Sequence, residues 1–192
     1  MNKIQSRKNP NDKIYTPPIV VDIMIDFCDY KEGQSVLEPA RGQGAIYNKL
    51  KSPREYCEIE EGKDYFDYNK KVDLIITNPP YSLIDTFLNH TYKLCDKFCF
   101  LIGCYSLTPK RIEVMNQNGF YLTKMMLTKI PSFFQRSYII VCEKLDKEPD
   151  NIVFKSINLG NKCLYCARPC GGMKGKNIMH CKRKSSENEC HY

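Results

Sequence analysis

Residues Val72–Thr77 (VDLIIT) form an apolar, β-branched run that stops at Asn78-Pro79-Pro80-Tyr81. Proline has no backbone N–H and a fixed φ, so two in succession end a strand ladder at once. The chain must therefore turn at the end of a strand there. A second run, Phe98–Cys104, is apolar throughout, as expected of a strand covered on both faces in a parallel sheet. Between the two lies Leu83–Cys95, where Leu83, Ile84, Phe87, Leu88 and Leu94 recur at helical spacing. Strands alternating with helices imply an α/β fold, a parallel sheet with helices on both faces.

The alternation extends in both directions. Pro17 and Pro18 hold Lys13–Pro18 extended, and Ile19–Phe27 reads as a short apolar helix. Ser35–Leu37 is a brief buried strand ending at Glu38-Pro39, Ala45–Leu50 fits a helix start, and Arg54–Ile59 is a second strand. Thr108–Asn118 is a helix closed by Gly119, and Tyr121–Leu127 and Ser137–Glu143 are two paired strands. In such sheets ligands bind beyond the carboxyl ends of the strands. Two unusual turns fall at such ends, Glu38–Gly44 and Asn78–Tyr81.

In the first turn, Gly42 and Gly44 permit a sharp bend and a close approach to a ligand. Glu38 disfavours a phosphate and suits a cation. The loop also lacks the third glycine and the lysine of phosphate-binding loops, which leaves a sulfonium or an amino acid as the compatible ligand. In the second turn, Asn78 offers an amide that both accepts and donates, and Tyr81 a flat ring. Together they form a clamp for a planar amine or amide. The plainer alternative is a rigid turn with Asn78 capping the next helix.

These residues carry a family resemblance. Asn78-Pro79-Pro80-Tyr81 resembles the N-P-P-Y signature of S-adenosylmethionine-dependent amino-methyltransferases, above all the small, phage-type DNA N6-adenine methyltransferases. Leu37–Gly44 resembles their cofactor loop, and Tyr15-Thr16-Pro17-Pro18 their N-terminal Y-x-T-P element. Cys57-Glu58-Ile59 and Glu61–Phe66 resemble the acidic end of strand two and the D-F/Y-F element after it. The resemblance spans roughly residues 13–145 and implies a Rossmann-like class I methyltransferase sheet.

By position it implies a cofactor site of Tyr15, Thr16, Pro17, Glu38, Pro39, Ala40, Gly42, Gly44, Glu58, Asp64, Tyr65 and Asn78. Glu58, ahead of Glu60, would bind the ribose hydroxyls, and Asp64 the adenine amine, with Tyr65 or Phe66 beside the ring. Catalysis would rest on Asn78, Pro79, Pro80 and Tyr81: the Asn78 oxygen and the Pro79 carbonyl accept the hydrogens of the target amine. Tyr81 would stack on a base swung out of the duplex. Pro131-Ser132-Phe133-Phe134 resembles a target-base segment with Phe134 facing the base, although a hairpin turn with a core phenylalanine fits equally well.

The chain changes character near residue 150, which divides it into a methyltransferase domain, 1–150, and a basic Cys/His-rich tail, 151–192. The net charge of the whole chain is +7, and its tail carries eight basic side chains against two acids, Glu187 and Glu189. That suggests a polyanion partner, although a solubilising tail has the same composition. Five of the eleven cysteines crowd into this tail with His180 and His191. Cys163-x2-Cys166 has knuckle spacing, and Cys163, Cys166, Cys181 and Cys190 are the first choice for a zinc site, the alternative being free thiols on an unstructured tail. The other six cysteines read as small core residues.

The expected partner is DNA, with RNA open and no membrane. The longest apolar run is too short to span a bilayer, and the polar Met1–Asp12 does not read as a secretory signal. The expected compartment is the cytoplasm, that of the host if the chain is phage-encoded. Competing functions are RNA adenine methylation, protein glutamine methylation and a non-catalytic nucleic-acid-binding module. Oligomeric state is not legible in the sequence.

Overall fold

The computed structural model describes residues 14–130, 133 and 136–159. The chain order is α1 (Pro18–Phe27), β1 (Val36–Glu38), β2 (Arg54–Tyr56), β3 (Leu74–Thr77), α2 (Ile84–Thr91) and β4 (Lys97–Gly103). It continues with α3 (Pro109–Gln117), β5 (Phe120–Lys129), β6 (Ser137–Lys144) and β7 (Val153–Asn158). The strands form one sheet in the order β2-β1-β3-β4-β6-β5-β7. β6 runs antiparallel to both of its neighbours, and every other pairing is parallel.

Side chains alternate across the sheet and fill two cores. On one face Leu74, Ile76, Cys99 and Leu101 pack against Val20, Val21, Met24 and Phe27 of α1. On the other, Ile75, Phe98, Phe100 and Ile102 meet Phe87 and Leu88 of α2 and Met115 of α3. This two-sided burial is why β3 and β4 are apolar without a break. α1 and α3 each start on a proline, whose missing N–H costs nothing in a first turn. Thr108 caps α3 by accepting the Arg111 N–H at 3.3 Å, and Gly119, at φ 78°, lets the chain leave it.

The structure corrects the sequence reading in three places. Ala45–Leu50 contains only a 3-10 turn, Tyr47–Lys49. There the Arg54 guanidinium takes the carbonyl oxygens of Tyr47 and Leu50, which occupies acceptors that a longer helix would use. The second strand ends at Tyr56, because Glu58 and Lys63 close a tight turn on each other through their backbones at 3.0 and 3.1 Å. The sheet also runs past residue 150: β7 adds parallel to β5, pairing Lys124 with Val153 through Lys129 with Asn158.

Cys28, Cys57, Cys95, Cys99 and Cys142 are buried and Cys104 is half-buried. Among the described residues no helix is long and apolar enough to cross a membrane, and no cluster of His, Cys, Asp or Glu could hold a metal ion. Cys163, Cys166, Cys181 and Cys190, the expected zinc ligands, lie outside the described residues, as does Phe134.

Candidate active site

The site gathers at the carboxyl ends of β1, β2 and β3. Beyond β1 the chain turns through Gly42 at φ 52° and Gly44 at φ 80°, a region that side chains with a Cβ adopt at a cost. At Gly44 a Cβ would also come within 3.1 Å of the Asn48 amide. The loop is stitched to β2 along its length. Cys57 N–H donates to the Glu38 carbonyl at 2.9 Å, and Arg41 N–H to the Cys57 carbonyl at 3.0 Å. The Glu58 carboxylate accepts the Gly42 N–H at 2.6 Å and the Glu60 N–H at 3.1 Å. Glu58 is thus an acid joined directly to the glycine loop.

Arg41 belongs to the glycine turn but carries no role of its own in the sequence reading, yet it fixes the loop's outer side. Its guanidinium pairs with Glu61 and lies 4.2 Å from the centre of the Tyr56 ring. The Lys63 ammonium lies 3.8 Å from the same ring centre. Two cations on one tyrosine make a braced cluster at the end of β2. An arginine beside the glycines, with Glu61 and Lys63 just after strand two, is the signal that could have found it.

Glu38 is 2 % exposed, and one of its carboxylate oxygens accepts the Tyr47 N–H at 2.6 Å. Burial pushes its carboxyl up to about 8, against the opposing pull of that hydrogen bond and of Arg41. Asp64 is also buried and caps the 3-10 turn Tyr65–Asp67 by accepting the Phe66 N–H at 3.0 Å. That turn sends Tyr65 inward: its ring packs on Phe87 and its hydroxyl pairs with Thr91 Oγ1 at 2.8 Å. Phe66 remains half-buried beside it. Of these two rings, Phe66 is the less enclosed, although it too packs against Tyr65, Phe87 and His90.

At the end of β3, Pro79 is buried, while Asn78, Pro80 and Tyr81 are half-buried. The Asn78 amide nitrogen donates to the Ile14 carbonyl at 3.0 Å. Its oxygen, Oδ1, is buried and has no hydrogen-bond partner. A buried acceptor without a donor is costly, and such atoms are completed in native proteins by a water, an ion or a ligand; Thr77 Oγ1 and Tyr81 OH beside it are in the same condition. Tyr15, half exposed, lays its ring against Gly42, the nearest approach to a Cβ there being 3.7 Å, while Thr16 is buried and Pro17 half-buried. The segment 14–16 thereby bridges the two turns that sequence reading treated separately. Its key atom is a backbone carbonyl, which leaves no side-chain signal.

Glycine backbone thus lies at the bend, acids stand at the ends of β1 and β2, and a half-buried phenylalanine follows. No family model matches the sequence, and no curated protein matches it. Solved structures do match. A modification subunit of a candidate type I restriction enzyme from Vibrio vulnificus aligns with a TM-score of 0.57 at 14% identity, over 80% of this chain and 49% of that one. This chain therefore spans about half the length of that subunit. A candidate RNA methyltransferase from Pyrococcus horikoshii aligns with a TM-score of 0.53 at 18% identity, over 66% and 81%. The magnesium protoporphyrin IX methyltransferase of Synechocystis, solved with S-adenosylmethionine bound, aligns with a TM-score of 0.53 at 14% identity, over 67% and 79%.

The chain has the class I methyltransferase fold. In this chain the antiparallel β6 is inserted between the parallel β4 and β5, and β7 extends the sheet beyond β5.

Proposed function

We propose that this chain transfers a methyl group from S-adenosylmethionine to the N6 amine of adenine in DNA. The observation that carries the reading is the buried, partnerless Oδ1 of Asn78 beside the Pro79 turn. An exocyclic amine carries two hydrogens and needs two acceptors in its plane. Asn78 Oδ1 supplies one, and the Pro79 carbonyl supplies the other. Ile14 holds the opposite end of the amide, so the oxygen is presented without a search over rotamers. Both acceptors draw electron density toward the amine nitrogen and fix the direction of its lone pair. Tyr81, three residues on, stacks against the base.

The cofactor supplies an electrophilic methyl group on a sulfonium. Glu58 holds the ribose hydroxyls, Asp64 the adenine amine, Phe66 its ring, and Glu38 with Gly42 and Gly44 the methionine end. Tyr15 closes over the glycine turn and limits the access of water.

A second reading is methylation of adenine in RNA, which the likeness to the Pyrococcus horikoshii protein supports. The two are separated by incubating unmethylated DNA and RNA with the protein and S-adenosylmethionine, then analysing nucleosides by mass spectrometry. N6-methyladenine in DNA alone is the expected result, and its appearance in RNA alone selects the second reading. The mark in neither, with cofactor bound, overturns both.

A further inference from the structure

Tyr105 is 84 % exposed, more than any other large hydrophobic side chain among the described residues. It sits on the 3-10 turn Cys104–Ser106, directly beyond the carboxyl end of β4. β4 is the neighbour of β3, with Thr77 paired to Phe100. Gly103 therefore stands three residues, or about 10 Å, above Thr77 along the strand direction. Tyr105 thus shares a rim with the Asn78–Tyr81 turn and rises beyond it.

This turn is held from both sides. Arg111 of α3 donates from Nη1 to the Ser106 carbonyl at 2.7 Å, and the same guanidinium grips Asp85 of α2 through two bonds of 2.6 and 2.9 Å. A bidentate pair of this kind fixes geometry as well as adding energy. From the other side, Cys104 N–H donates to the Arg136 carbonyl at 3.1 Å, which brings the exposed Arg136 to the same rim. An aromatic ring is thus displayed in water on a rigid support. The chain after it carries Ser106, Thr108 and the exposed Lys110, with Leu107 half-buried between them, and Arg136 adds a second exposed cation through its bond to Cys104. Such surroundings suit a polyanion with flat faces better than an apolar protein patch.

We propose that Tyr105 is a nucleobase-stacking residue that meets the nucleic-acid strand beside the target adenine, with Arg136 facing its phosphates. The proposal rests on the nucleic-acid reading of the site. Stacking on an aromatic ring needs no particular base, so Tyr105 would add affinity for an opened strand without adding sequence preference.

The chain has no tryptophan, so the Tyr105→Trp variant places a single indole at the position in question. Full-length variant protein is titrated with mixed-sequence single-stranded DNA and RNA oligonucleotides, following indole emission and the anisotropy of the labelled oligonucleotide together. Quenching that tracks binding is expected. Tyr105→Ala should weaken oligonucleotide binding roughly tenfold, Tyr105→Phe should restore it, and cofactor affinity should not change. Oligonucleotide binding with unchanged emission overturns the role of Tyr105 and leaves the methyl-transfer reading standing. Failure of the wild-type protein to bind either oligonucleotide overturns the stacking role together with the nucleic-acid substrate.

Discussion

The Glu58 carboxylate accepts the Gly42 N–H at 2.6 Å, so one bond ties the ends of β1 and β2 across the proposed cofactor site. Glu58 also caps the turn that follows it through the Glu60 N–H. Bonds to a charged acceptor are the stronger ones, about 1.5–3 kcal/mol. Glu58→Ala should therefore loosen the glycine loop and lose the ribose contact together. We expect S-adenosylmethionine affinity to fall about 10- to 100-fold by calorimetry. Glu58→Gln, which keeps an acceptor but no charge, should fall between. Wild-type affinity in Glu58→Ala would remove Glu58 from the site.

Asn78 answers to a different measurement. Its Oδ1 is free for a substrate amine, whereas its nitrogen is spent on Ile14. Asn78→Ala should lower kcat by at least about 100-fold, as expected when a positioned acceptor is removed, and leave cofactor affinity within about twofold. Asn78→Asp keeps an acceptor but cannot donate to the Ile14 carbonyl. Its carboxylate is then left beside a carbonyl oxygen, and we expect it to fail nearly as badly. If cofactor affinity and turnover vanished together in Asn78→Ala, the cofactor role that the family resemblance also gives Asn78 would be the dominant one.

Tyr65 and Phe66 are adjacent, aromatic and indistinguishable by composition. The 3-10 turn capped by Asp64 separates them, putting Tyr65 in the core against Thr91 and leaving Phe66 half-buried. Tyr65→Phe should cost about 1 kcal/mol of stability, the worth of one buried hydrogen bond, with no change in cofactor affinity. Phe66→Ala should weaken cofactor binding about tenfold. Calorimetry on the two variants decides between the rings, and the opposite ranking would return the assignment to Tyr65.

What could be read in the sequence follows from burial. β3 and β4 are covered on both faces, so their apolar runs announce them, and the turn after β3 is announced by its prolines. β7 is largely exposed along its length, with Phe154 at 58 %, and has no apolar face to signal it. It exists because β5 offers an unpaired backbone edge, which is a tertiary fact. The site divides the same way. Glu38, Gly42, Glu58, Asp64 and Asn78 stand at strand ends or in turns that sequence could locate. The Ile14 carbonyl and the Arg41–Tyr56–Lys63 stack depend on which loops come to lie side by side.

Glu38 links the fold to pH. Its carboxyl, held at about 8 by burial, titrates near 4.5 when exposed. Raising the folded value above the unfolded one means that the native state binds the proton more tightly. The stability this provides is complete below pH 4.5 and is lost as pH rises through about 8. At 1.36 kcal/mol per unit the loss has an upper bound of about 5 kcal/mol, reduced by whatever relaxation lets water reach the carboxylate. Thermal melts from pH 5 to 9 should show the wild-type protein losing stability more steeply than Glu38→Gln, which carries no ionisable group there. Cofactor binding should run the other way. A sulfonium near Glu38 favours the carboxylate, so affinity should rise with pH through the same window and flatten in Glu38→Gln. Parallel melting curves for the two proteins would mean that Glu38 is already ionised in the folded chain and holds the loop as an anion at neutral pH.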